Sequence, residues 1–203
     1  MNNDYTGIHH AAFATRDITR TVHFWRDLLG LRLVYSYGRP GYRQYFFQIS
    51  GSNRISFFEW PEVEGIPYRR HGEPVKGPLV FDHIAIGVVD VKRLWEIMAR
   101  LDAAGFPVSD MVDHGAFLSI YSYDPNGIPI EFSCDAEGTN LWDDPVIRDQ
   151  SAPAWDLGIP EPRPGLWPKA DPIAEEDRVI VPGEGKEYFP RSWPVGPDQQ
   201  QDD

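Results

Sequence analysis

A single cysteine, Cys134, leaves the chain no partner for an internal disulfide, and its expected place is that of a small buried apolar residue. No apolar run approaches the roughly 20 residues that a bilayer crossing needs. The opening MNNDYTGIHH has neither the basic stretch nor the apolar one that leads a secreted chain. Positive charge is also scarce. With 19 Lys and Arg against 31 Asp and Glu, the formal net charge of −12 opposes phosphate backbones and anionic lipid surfaces at long range. These absences predict a cytoplasmic protein with no nucleic-acid or membrane partner and direct attention to small-molecule ligands.

What is present is a duplication. GIHHAAFATRDITRTVHFWRDLLGLRLVYS (7–36) and FDHIAIGVVDVKRLWEIMARLDAAGFPVSD (81–110) match in kind: His10 to Asp17 and His83 to Asp90 each span seven residues, and the two pairs are offset by 73. In each copy a β-prone run leads to an Asp suited to accept the unpaired amides of a helix's first turn. Val22, Trp25 and Leu29 in one copy, and Leu94, Met98 and Leu101 in the other, recur at helical spacing as core faces, and Gly30 and Gly105 stand where a helix C-cap needs positive φ. LRLVYSY, YRQYFFQIS and RISFFEW follow the first helix, and FPVSDMV, AFLSIYSY and IPIEFS the second. The predicted fold is α+β: two tandem βαβββ modules, about 6–60 and 79–134 of a domain spanning 1–134, joined by a Pro-bearing linker at 61–78. Together they are expected to form a curved, open mixed sheet around a metal site.

From about 135 to 203 the periodicity stops. Eleven of the 19 prolines fall there, at 145, 153, 160, 162, 164, 168, 172, 182, 190, 194 and 197, together with Trp142, Trp155, Trp167 and Trp193. The expectation is a Pro-rich extended tail that wraps over the domain or a partner subunit, since disordered segments are poor in aromatics.

Strand parity indicates where the histidines point, because alternate side chains take opposite faces. Ile84, Ile86 and Val88 form one face and His83, Ala85 and Gly87 the other; His10 shares its face with Ala12 and Ala14. Both histidines thus lie on faces otherwise lined by tiny residues, which leave open volume. Glu131, between Ile130 and Phe132, points away from them with Pro129 and Ser133. A carboxylate in an apolar strand costs several kcal/mol unless it is paired or holds a metal. Two His and one carboxylate leave open coordination positions, an arrangement associated with non-haem Fe(II) oxygenases. His9 has the opposite parity and, with Asp at position 82, no histidine counterpart; it is expected to be structural.

VDHGAFLSIYSYDPNGIPIEF (112–132) sharpens this pattern. Val112, His114, Ile120-Tyr121, Asp124-Pro125-Asn126-Gly127 and Glu131 are spaced as in the type I extradiol ring-cleavage dioxygenases, and residues 6–134 resemble their vicinal oxygen chelate superfamily. That resemblance implies metal ligands at His10, His83 and Glu131, with Fe(II) or Mn(II) as the metal. It also implies that His114 and Tyr121 contact substrate or oxygen, and that a histidine before the second ligand acts in acid–base catalysis, for which His71 is the candidate. The implied partners are a small aromatic diol and O2, in a homodimer or higher homo-oligomer.

The resemblance also carries alternatives. Glyoxalase I-like relatives have a second acidic ligand in the last strand of the first module. Aligning Asn53 with Asn126 without gaps puts Phe58 at that position, as a wall of the pocket, but a β-bulge could swing Glu59 inward and give a lyase or isomerase instead. A protein that sequesters a ligand without turnover is the third possibility.

Overall fold

The computed structural model describes residues 8–39, 42–67, 81–141, 143–146, 160, 169 and 171–180. Both predicted modules are present. In the first, β1 (Ala11–Thr15) leads through the N-cap Asp17, whose carboxylate accepts from Arg20 N at 2.9 Å, into α1 (Ile18–Val22). The helix continues as a widened π turn over His23–Leu28, with Leu29 N donating to Phe24 O, and it stops at Gly30 with φ +79. The sequence pattern predicted an ordinary helix here. Over this wide turn the adjacent residues Phe24 and Trp25 both enter the core, at 3% and 0% exposure. Three strands follow, β2 (Arg32–Arg39), β3 (Tyr42–Gln48) and β4 (Arg54–Glu59), and β4 returns to lie parallel to β1. The sheet order is β1-β4-β3-β2.

The second module repeats this plan with β5 (Ile84–Gly87), α2 (Val91–Ala103), β6 (Val112–Asp113), β7 (Phe117–Tyr123) and β8 (Pro129–Asp135), in the order β5-β8-β7-β6. Asp90 caps α2 through Arg93 N at 2.8 Å, and Gly105, φ +76, lies just past its end. The predicted strand FPVSDMV is reduced to the two residues of β6 plus a single bridge from Val108 to Ser122.

Each sheet is covered by a helix on one face. Leu94, Ile97 and Leu101 of α2 are buried with Ile86, Ile130 and Phe132, while Trp25 packs on Phe57 of β4. The covered faces of both modules contribute to one core, joined by Phe24 against Phe106 and Phe13 against Phe81. Fully burying Ile55, Phe47 or Phe57 contributes about 1.5–3 kcal/mol each. The opposite faces are open, with Ala12, Ala85 and Gly87 all exposed as strand parity predicted.

The DPNG turn has a second role between the modules. Asp124, wholly buried, accepts from Asn126 N, Ile128 N, Asn126 Nδ2 and, across the modules, Trp25 Nε1 at 3.4 Å. The Thr15 hydroxyl donates to Asn126 Oδ1 at 2.7 Å. Gly127, φ +82, passes so close to Ile66 O that a Cβ would lie 2.0 Å from it, so a side chain there would force the connecting segment away.

Contacts divide the chain into two units, Met1–Gln150 and Ser151–Asp203. In the second unit a 3₁₀ turn covers Glu175–Asp177. The tail's Trp142, Trp155, Trp167 and Trp193, and the candidate His71, lie outside the described residues. Among the described residues no helix is long and apolar enough to cross a membrane.

Candidate metal centre

His83 stands one residue before β5, and the parallel ladder sets Ala85 opposite Glu131. The antiparallel ladder sets Tyr121 opposite Glu131, and Ser119 opposite Ser133. Four polar side chains therefore converge on an otherwise apolar strand. His83 Nε2 lies 2.7 Å from Glu131 Oε2, and His83 Nδ1 donates to Asp82 Oδ1 at 2.6 Å. Glu131 Oε1 accepts from Ser119 Oγ at 2.5 Å and from Ser133 Oγ at 2.8 Å.

Glu131 is 4% exposed. Burial alone would raise its pKa, but the two serine hydroxyls and the His83 charge outweigh burial and hold the carboxyl below its ordinary range. The Tyr121 ring meets His83 edge-on at 5.9 Å. Burial, and then the Glu131 charge, push its phenol above the usual value, which keeps it a proton donor at neutral pH. His114 Nε2 sits 2.9 Å from Tyr121 Oη, with its ring against Phe117 at 4.8 Å. The structure thus brings together His83, Glu131, Tyr121 and His114.

His10 is placed elsewhere. It precedes β1 on the other sheet, its ring edge-on to Phe46 at 5.4 Å and its Nδ1 2.9 Å from His9 Nδ1. Among the described residues no three His, Cys, Asp or Glu side chains gather as a metal site. The two histidines occupy matching places, since Phe46 of β3 attends His10 as Tyr121 of β7 attends His83. His9 and Asp82 match as well, each holding the Nδ1 of the following histidine. Sequence comparison of the copies missed that equivalence because the two residue types differ.

The ladders also correct the alignment of the fourth position. Ala12, two residues after His10, pairs with Ser56, as Ala85, two after His83, pairs with Glu131. The residue equivalent to Glu131 is therefore Ser56, not Phe58. The ungapped alignment through Asn53 and Asn126 failed because strand pairing, not the turn residue, sets the register: Gln48 pairs with Arg54 as Tyr123 pairs with Pro129. Ser56, fully buried, accepts from Gln44 Nε2 at 3.1 Å.

Nor does a bulge turn Glu59 inward. β4 pairs in unbroken register with both neighbours, from Ala11↔Ile55 to Thr15↔Glu59 and from Arg43↔Glu59 to Gln48↔Arg54. Glu59 lies on the helix side, where Oε1 accepts from Ile18 N at 3.2 Å and Oε2 takes Arg43 at 2.6 Å.

The donor set suits a metal. Asp82 and the serines engage His83 Nδ1 and Glu131 Oε1, while Nε2 and Oε2 pair with each other; with His10, on the other sheet, the candidate set is two imidazoles and one carboxylate. A groove of about 520 Å³ runs from Glu131 along Ala85, Gly87, Phe117 and Ser133.

Residues 7–132 match the model of the Glyoxalase/Bleomycin resistance protein/Dioxygenase superfamily. The chain belongs to this superfamily. A lactoylglutathione lyase of Haemophilus influenzae is 26% identical over 125 residues, which is 61% of this chain and 88% of that protein. Among solved structures, a glyoxylase/bleomycin resistance protein/dioxygenase domain from Frankia sp. EAN1pec is 17% identical with a TM-score of 0.55, covering 66% of this chain and 96% of that one. The fosfomycin resistance protein FosX of Listeria monocytogenes is 19% identical with a TM-score of 0.48, covering 66% and 96%. The superfamily is metal-dependent and includes enzymes.

Proposed function

We propose that this superfamily member is a metal-dependent enzyme whose substrate binds through two vicinal oxygens, and that its reaction is the opening of a catecholic aromatic ring with O2. The observation that carries this reading is Ser56 at the position where a second acidic ligand would stand. Three protein ligands leave room for a bidentate substrate and one further small molecule.

In this reading His10, His83 and Glu131 hold Fe(II) or Mn(II), which when bound supplies Lewis acidity toward the diol oxygens and a path for electrons to O2. Tyr121 Oη, protonated at neutral pH, donates a hydrogen bond to a bound oxygen. His114 Nε2, 2.9 Å behind it, takes up or returns the proton. Phe58, Tyr42 and Trp60 form an aromatic group on the open face of the first module, with Phe58 and Trp60 stacked at 5.6 Å, and this surface suits a planar aromatic ligand. Because His10 lies in a half-site apart from His83 and Glu131, the centre is completed in a two-fold dimer, His10 of one protomer meeting His83 and Glu131 of its partner.

A second reading, a metal-dependent lyase acting on a thiol adduct, has the support of the Haemophilus influenzae lactoylglutathione lyase. The ligand positions support it less, since Ser56 and Glu59 supply no fourth acidic ligand. The experiment is to load anaerobically purified protein with Fe(II) and measure O2 uptake with a panel of mono- and bicyclic catechols. Uptake of one O2 per diol with a coloured product is expected. Turnover of a thiol adduct of an α-ketoaldehyde without O2 uptake would establish the lyase instead, and binding of either ligand without turnover a sequestering protein.

A further inference from the structure

We infer that the crevice between the two modules beside α2 is a binding site for an aliphatic carboxylate, on the far side of β5 and β8 from the candidate metal centre. Arg93, Ile97 and Arg100 follow one another at four and three residues along α2 and so share one stripe of its surface. All three line a cavity of about 420 Å³. Its facing wall comes from the first module, with Leu31 just after the Gly30 stop and Ile49 just past β3, and its floor reaches Ile86 and Phe132 of the second sheet. By strand parity Ile86 and Phe132 turn away from Ala85 and Glu131, so the crevice and the groove at Glu131 open on opposite faces and share the strand end at Gly87, Val88 and Val89.

Charge and wall chemistry select the ligand. Two guanidinium groups enter the lining, and no acid does among the described residues. Glu96, outside the lining, holds Arg93 at 2.6 Å, whereas Arg100, half-buried, has no ion pair with a described residue. One cationic charge is thus uncompensated, in a chain whose formal net charge is −12. Another cavity, of about 440 Å³ at the DPNG turn, sets Arg16 and Arg20 beside Asp17 and Glu64, so that its formal charges cancel. Apart from Phe132 the apolar lining of the crevice is aliphatic, Leu29, Leu31, Ile49, Ile86 and Ile97 among it, which suits an alkyl chain and offers no aromatic pair for a planar ring. A carboxylate at Arg100 accepts charge-assisted hydrogen bonds from the guanidinium. Its chain then lies over Ile97 toward Arg93, a span of about 10 Å for seven residues of helix.

The probe is octanoate, titrated calorimetrically into the whole chain without metal and below the concentration at which octanoate forms micelles. Saturable one-to-one binding is expected. Octanamide, which lacks the charge, and acetate, which lacks the chain, should each bind at least about tenfold more weakly. Arg100→Gln should weaken octanoate about 10–100-fold, whereas Arg16→Gln, in the charge-balanced cavity, should leave its Kd unchanged. Methyl NMR of isoleucine-labelled protein locates the site: octanoate should shift Ile49, Ile86 and Ile97 and leave Ile66 and Ile128 of the other cavity in place. Affinity untouched by Arg100→Gln, equal affinity for octanamide, shifts confined to Ile66 and Ile128, or no binding by the wild type would each overturn the proposal. None of these outcomes bears on the metal-centre reading, because the titration contains no metal.

Discussion

Ser56 and Glu131 occupy the same ladder position of their two modules, each opposite the alanine that lies two residues after a candidate metal-binding histidine. One is a hydroxyl satisfied by an amide, the other a carboxylate held by two hydroxyls and an imidazole. The duplicated scaffold is therefore symmetric in backbone and asymmetric in charge at this position, with a buried carboxylate only in the second module.

Glu59 accepts from the start of α1 and from Arg43. Glu59→Gln should leave Mn(II) affinity within about twofold of wild type and lower stability by about 0.5–1 kcal/mol, from the half-exposed Arg43 pair and the lost charge at the start of α1. Urea unfolding and Mn(II) titration measure the two effects. Loss of the metal in this variant would return Glu59 to the ligand set.

A centre shared between protomers is open to complementation. His10→Ala and Glu131→Gln should each abolish metal retention, and mixing the two unfolded and refolded variants should restore roughly one quarter of the sites, the statistical share for a two-fold dimer. No recovery on mixing, with both variants folded and dimeric, would place all three ligands in one chain.

His114 contacts Tyr121 and not the proposed ligands. His114→Ala should keep the metal and the fold and lose turnover about 100-fold or more. Steady-state kinetics beside a metal assay separates this outcome from loss of the centre, and unchanged kcat would reduce His114 to a surface residue.

Asp124 predicts an unusual pH dependence. Burial raises its carboxyl above the ordinary value, against the opposing hydrogen bonds from Asn126, Ile128 and Trp25. A folded pKa above the unfolded one, roughly 3.9, means that the native state holds the proton to higher pH, so this group's contribution to stability falls as pH rises from there through the folded pKa. In Asp124→Asn the new amide faces the Asn126 Nδ2 and Trp25 Nε1 donors, and about 1–3 kcal/mol should be lost at low pH. The deficit should shrink toward neutrality, where the wild type also bears a desolvated charge. Urea midpoints at acid and neutral pH check the sign, and a deficit that grows with pH would contradict it.

The repeated modules, both helix caps, the glycine stops and the open small-residue faces were all legible in the chain, because they follow from local periodicity, capping chemistry and strand parity. Parity also set Glu131 on the open side of its strand. It could not show that Ser119 and Ser133 meet over one oxygen, nor that Ser56 and not Phe58 matches Glu131. Parity assigns a face, whereas partners along a face depend on cross-strand register, which hydrogen bonding between segments far apart in sequence decides. For the same reason His10 was grouped with His83 and Glu131 by resemblance, while the packing of Trp25 on Asp124 and Phe24 on Phe106 turned the two helix-covered faces into one core and kept the two half-sites on separate sheets. Spacing along the chain thus determined what each module is and which face of it is open; how the modules bury their apolar faces against each other, a choice made by shape and contact area, decided which of those chemical groups stand together.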